Sequence, residues 1–155
     1  MGFKLGRFVG RISFWMSWPL LYIYFRYTPV RTRVLVQSDD DILLVRGWLG
    51  TGEYELPGGG SHFKEALPKA ALRELREELA LILREEDLKP LCRGTYRQHG
   101  LTIRYITYAA RITGKRRLRL RRLEIAEAAW VPKKEIVYLR VKPDVTDSLK
   151  VLDTI

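Results

Sequence analysis

The stretch that most limits what this chain can become is residues 56–81. There Gly58, Gly59 and Gly60 lead into a segment rich in alanine, leucine, arginine and glutamate. Consecutive glycines let the backbone take positive φ and come close to a ligand, so a turn is expected. Pro68 falls where the first turn of a helix belongs, since its missing N–H would be unpaired there anyway. At about 100° per residue, Ala71, Leu72, Leu75 and Leu79 form an apolar stripe. Glu74, Glu77 and Glu78 cluster beside it at i, i+3, i+4, with Lys69, Arg73 and Arg76 expected on the opposite side.

Three like charges on one flank repel, and each i,i+4 clash costs a few tenths of a kcal/mol. Pairing with arginine in solvent would offset this. So would a hard divalent cation such as Mg²⁺, which takes oxygen ligands and bridges carboxylates to substrate phosphates. The glycine turn has two readings as well: a plain tight turn, or a phosphate cradle ahead of a helix.

Taken together, the stretch resembles the Nudix box. That pattern runs Gly, five residues, Glu, seven residues, Arg-Glu, an aliphatic residue, any residue, Glu-Glu, any residue, Gly, aliphatic. Here Gly59 is followed by Glu65, then Arg73-Glu74-Leu75, then Glu77-Glu78, then Ala80-Leu81. Every charged position matches. Ala80 stands where the family usually has glycine, near the helix end, where glycine favours a left-handed cap. Alanine there costs about 1 kcal/mol and removes no ligand.

The resemblance implies an α/β sandwich with a mixed β-sheet, the box helix packed against it, over residues 29–155. It implies a Mg²⁺- or Mn²⁺-dependent hydrolase that cleaves the diphosphate of a nucleoside diphosphate linked to another moiety. Glu74, Glu77 and Glu78 would hold the metal, with a backbone carbonyl from Gly58 or Gly59. One glutamate would accept the proton of the attacking water, and the resemblance leaves open which. Arg73 would orient a glutamate, Glu65 would brace the loop–helix junction, and Gly58, Gly59 and Gly60 would approach the substrate. Arg46, at the end of the second strand, would meet the substrate's phosphates. Glu124, six residues before Trp130, is the candidate for a late catalytic carboxylate, with Glu127 second. Tyr96 and Pro90 match neither of two family substrate markers, so nucleoside triphosphates, oxidised ones included, are the default substrate.

At 155 residues the chain has room for one core. A single cysteine, Cys92, excludes an intrachain disulfide, which fits a reducing compartment; Cys92 reads as a small core residue. His62 and His99, with no paired cysteines, do not make a zinc site. His62, in the glycine loop, is expected to be exposed.

Net charge is +10, and residues 1–33 contribute Lys4, Arg7, Arg11, Arg26, Arg31 and Arg33 without an acid. Residues 12–25 are uncharged, but as a helix they would span about 21 Å, short of a roughly 30 Å hydrocarbon core, and Pro19 interrupts them. No transmembrane span is expected. Residues 3–18 fit a basic amphipathic helix, with Leu5, Phe8, Val9, Ile12, Trp15 and Met16 on one side. Residues 1–28 therefore form an N-terminal segment that either attaches to an anionic membrane surface, packs on the domain, or makes a dimer contact. A signal sequence lacks its cleavage site. The expected location is cytoplasmic, peripheral at the inner membrane face if the segment binds lipid.

Elsewhere, two strands are expected around Ser38-Asp39-Asp40-Asp41, two more joined at His99-Gly100, and a terminal helix over residues 144–155 with Val145, Leu149 and Leu152 inward. Trp48 either stacks on a base or covers the core. Residues 116–122 read as a strand with Arg117, Arg119 and Arg121 on one face. That row would contact polyphosphate, RNA or lipid, or guard an open sheet edge. Two alternative functions stay open: a catalytically weak nucleotide- or RNA-binding module, and a membrane-surface hydrolase of a lipid- or sugar-linked diphosphate.

Overall fold

The computed structural model describes residues 30–48, 52–98, 101–121 and 125–154. The N-terminal segment and Glu124 lie outside these residues, as does His99. Strands β1 (Arg31–Ser38) and β2 (Asp41–Gly47) come first, then helix α1 (Leu67–Leu79). β3 (Lys89–Gln98), β4 (Leu101–Ile112) and β5 (Ile125–Pro132) follow, and α2 (Pro143–Leu152) closes the order. The sheet runs β3-β4-β1-β2-β5. β1 is parallel to β4, and the other neighbours are antiparallel.

Both faces of the sheet are covered, which explains why its central strands read as unbroken apolar runs. Val34 and Val36 of β1, with Leu43 and Val45 of β2, pack against Ala71, Leu75 and Leu79 of α1. Leu35, Ile42 and Leu44 face the other way, toward Val145, with Leu149 and Leu152 packed at the margin. The alternation along β4 is imperfect for the same reason. Thr102 and Arg104 are exposed, but residues 105–108 are buried on both faces because the strand passes under both layers.

β1 and β2 pair at the turn, Gln37 with Ile42 and Ser38 with Asp41, and residues 54–60 bridge to both strands beyond it. Val45 and Glu55 exchange two backbone hydrogen bonds of 2.9 Å. Val34 N–H donates to Pro57 O at 2.9 Å and Thr32 N–H to Gly59 O at 2.8 Å. The glycine turn is thus pinned to the sheet along its length.

α1 begins with Pro68 in its first turn and ends on Ala80, at φ 54° and ψ 27°. Ala80 N–H donates to Arg76 O, and Leu81 N–H reaches back to Leu75 O. The first is the single 5→1 bond of an αL cap, made here with an alanine in the left-handed region.

Residues 116–121 are not a strand. Leu118 and Leu120 do pack inward, as the alternation implied. Their backbone bonds the end of α1 instead of a neighbouring strand: Arg119 N–H donates to Leu79 O and Arg121 N–H to Glu78 O. Among the described residues no helix is long and apolar enough to cross a membrane.

Candidate active site

Three successive residues of β1 hold three successive carbonyls of the glycine turn. Thr32 and Val34 use their backbone N–H groups on Gly59 and Pro57. Arg33, between them, uses its side chain, and Nη1 donates to Gly58 O at 2.7 Å and to Leu56 O at 3.0 Å. Gly58 has φ +134°, and a Cβ there would lie 2.2 Å from Thr32 O. A Cβ on Gly59 would lie 2.6 Å from the carboxyl carbon of Glu74. The glycines are therefore required by close approach to β1 on one side and to α1 on the other.

Arg33 is almost wholly buried. Its Nη2 donates to Glu55 at 2.6 Å, and Nε lies 3.5 Å from Asp144. Lys142 adds a 2.7 Å contact to Glu55, and Asp144 accepts from Leu56 N–H at 3.1 Å. Burial alone would lower the Arg33 pKa, but the Glu55 and Asp144 carboxylates outweigh it and raise it. Burial would raise Glu55, and Arg33 and Lys142 outweigh it in the opposite direction. This cluster ties the turn to the start of α2. It was not anticipated from sequence, where Arg33 counted only toward the basic N-terminal charge. The available signal was a charged residue on the same strand face as Leu35.

Glu74, Glu77 and Glu78 lie on one flank of α1, as their spacing requires. Arg73 does not sit opposite them. Its long side chain folds back, donating to both oxygens of Glu65 (2.9 and 3.0 Å), to Glu74 (2.9 Å) and to Gly60 O (2.8 Å), with Glu77 at 3.5 Å. Glu65 also accepts from His62 N–H at 2.7 Å. It thereby braces the loop–helix junction, and the Arg73 hydrogen bonds hold its carboxyl down at about 2. Glu78 is the buried member of the trio and accepts from Gly58 N–H at 3.0 Å. Burial pushes it up to about 8, with Glu74 and Glu55 adding to the rise, against Arg33 and the Gly58 N–H, which favour the charged form.

The donor set suits a hard divalent cation: carboxylate oxygens on one helix flank, beside a turn that has no side chain where it meets Glu74. Among the described residues no three acidic, histidine or cysteine side chains converge into a coordination cluster. Arg73 draws Glu74 and Glu77 together, and Arg121 Nη1 lies 3.7 Å from Glu77. Gly58 O and Gly59 O, expected as metal ligands, each accept hydrogen bonds from β1 residues.

Arg46 lies across from Glu127 in the β2–β5 pairing and makes an ion pair with it. Tyr54 OH donates to the other oxygen of Glu127 at 2.8 Å, and the Arg46 guanidinium sits 5.2 Å from the Tyr54 ring centre. Glu127 therefore neutralises the arginine expected to meet phosphate. Trp48 is 43% exposed, so it does not seal the core. His62 is exposed, as expected. Cys92 is only partly buried on β3, its Sγ 3.4 Å from Ser148 Oγ.

A mixed sheet lies between helices, and its glycine turn feeds a helix of clustered glutamates. The model of the NUDIX domain matches residues 27–154, and the chain belongs to that family as a Nudix-type pyrophosphohydrolase. Among curated proteins, none matches this sequence. Among solved structures, the MutT protein from Methanosarcina mazei Go1 is similar at TM-score 0.70 and 18% identity, over 83% of this chain and 96% of that one. A Caenorhabditis elegans Ap4A hydrolase in a binary complex aligns at TM-score 0.68 and 15% identity, over 80% and 94%. A bifunctional NMN adenylyltransferase/ADP ribose pyrophosphatase from Francisella tularensis, complexed with AMP and a Mn ion, aligns at 0.70 and 18%, over 94% of this chain and 47% of that one. At these identities the likeness is one of fold.

Proposed function

We propose that this protein hydrolyses the diphosphate linkage of a nucleotide, with Mg²⁺ or Mn²⁺ held by Glu74, Glu77 and Glu78. The observation that carries this reading is the Gly58–Glu78 hydrogen bond, which joins the turn to the carboxylate flank. A bound divalent cation supplies neutralisation of phosphate charge and acidification of water. Arg73 fixes the turn and the carboxylates relative to each other through Gly60, Glu65 and Glu74. One glutamate of the trio accepts the proton of the attacking water, within hydrogen-bond reach of it. We assign Arg46 to the substrate's phosphates, which would have to draw it away from its ion pair with Glu127. Nucleoside triphosphates are the default substrate.

A substrate panel tests this reading. Purified protein is offered NTPs, dNTPs, oxidised dGTP, ADP-ribose, nucleotide sugars and dinucleoside polyphosphates with Mg²⁺ or Mn²⁺. Metal-dependent release of a mononucleotide from at least one is expected. No cleavage of any member would overturn the nucleotide assignment.

A further inference from the structure

Residues 115–121 carry Lys115, Arg116, Arg117, Arg119 and Arg121 and no acid. They are fastened to the end of α1 by Arg119 N–H to Leu79 O at 3.0 Å and Arg121 N–H to Glu78 O at 2.8 Å. Two N–H groups two residues apart that face the same helix end have the period of an extended chain. Leu118 and Leu120 pack into the core on the other side, so Arg117, Arg119 and Arg121 stand exposed in a row. The segment does not belong to the sheet, so guarding an open edge does not account for these charges. Lys115 pairs with Asp41, Arg116 acts on Asp87, and Arg121 reaches Glu77. Among the described residues neither Arg117 nor Arg119 has an acid partner.

Like charges fixed at alternate positions of one chain repel, and an anion with matching repeats relieves that. Arginine forks fit phosphate oxygens in pairs. We propose that this row binds the phosphates of a substrate that continues beyond the scissile diphosphate. The proposal rests on the hydrolase reading above and names the class of substrate for the same site. The row starts beside Glu77 and leads toward Lys115, which pairs with Asp41 at the β1–β2 turn. From Arg121 to Arg117 it covers roughly 13 Å at about 3.3 Å per residue. No aromatic residue interleaves with these arginines, so they read phosphates and not bases. Both leucines face the core, so the segment offers a bilayer no apolar side chain. Two sources share the chemistry: a phosphoanhydride chain, as in a dinucleoside polyphosphate, and the phosphodiester backbone of single-stranded RNA.

The test compares the full chain with the Arg117→Gln/Arg119→Gln double variant. Binding of tripolyphosphate and of a 5′-hydroxyl oligoribonucleotide is measured at fixed salt. At least about tenfold weaker binding of one probe is expected in the variant, and the probe lost names the source. Both probes bound within about twofold of the parent would overturn the proposal. In turnover, kcat/KM should fall at least about tenfold further for a substrate with extra phosphates than for a nucleoside diphosphate sugar. Equal losses on both would also overturn it. A parent that cleaves nothing while the variant still loses binding would count against the hydrolase reading and leave the phosphate row standing.

Discussion

The backbone N–H of Gly58 donates to Oε2 of Glu78 across 3.0 Å, so the glycine turn and the last glutamate of the α1 flank are one unit. Glu78 is also the carboxyl that burial pushes up to about 8 from an ordinary 4.5. Between those values the folded chain keeps a proton that the unfolded chain has released. The stability present below about 4.5 is therefore lost as pH rises through about 8, by roughly 2–5 kcal/mol over the window. Glu78→Gln has no such proton. In chelator, its stability relative to the parent should rise from pH 5 and level off above about pH 8 in denaturant titrations. Parallel pH curves would contradict the burial of that carboxyl.

Arg33 is a second such link. Removing it as Arg33→Met leaves Asp144 without its buried ion-pair partner and Glu55 with Lys142 alone, a loss on the order of 3–5 kcal/mol. Arg33→Lys keeps the charge, but a point-like ammonium cannot bridge Leu56 O, Gly58 O and Glu55 together. Chemical denaturation should rank the parent above Arg33→Lys and Arg33→Lys above Arg33→Met. A methionine variant as stable as the parent would show that the cluster is dispensable.

Gly58 and Gly59 should respond differently to alanine. At Gly58 the added Cβ meets Thr32 O at 2.2 Å with φ at +134°, so the backbone itself must give, and a loss of several kcal/mol is expected. At Gly59 the obstacle is the far end of the Glu74 side chain, which can move. Gly59→Ala should keep its circular dichroism and melt within about 1 kcal/mol of the parent, while metal-dependent turnover drops at least about tenfold. A Gly59→Ala enzyme of full activity would separate Glu74 from the chemistry.

Ala80 holds the left-handed cap that suits glycine. Ala80→Gly should stabilise by about 1 kcal/mol, a rise of about 2–4 °C in Tm for a chain this size. Turnover per folded molecule should not change. A lower Tm would mean that the cap is not strained.

What sequence reveals here is what lies close along the chain. Pro68, the apolar stripe, the three glutamates and the cap at Ala80 are all set by helix geometry within residues 66–81, and they stand where periodicity put them. The turn at Asp39 is likewise local, as is the inward face of α2. Arg73 shows the limit of angular position alone: its backbone direction is helical, but a long side chain bends round to Glu65 and Glu74. The Arg33 cluster was out of reach. Its partners Glu55, Gly58 and Asp144 are brought together only by strand splaying and by the docking of α2, contacts between residues 22 to 88 positions apart. Residues 115–121 alternate like a strand, yet they follow α1 because helix carbonyls, and not a strand, accept their N–H groups.

The most direct measurement is turnover of the best nucleotide substrate by the parent, Glu77→Gln and Glu78→Gln under a Mg²⁺ and Mn²⁺ titration, each variant checked for folding. Loss of at least about a hundredfold in kcat for both variants, with parent activity abolished by chelator, is expected if these carboxylates hold the cation and move the proton. Near-parent rates in both variants would contradict that assignment.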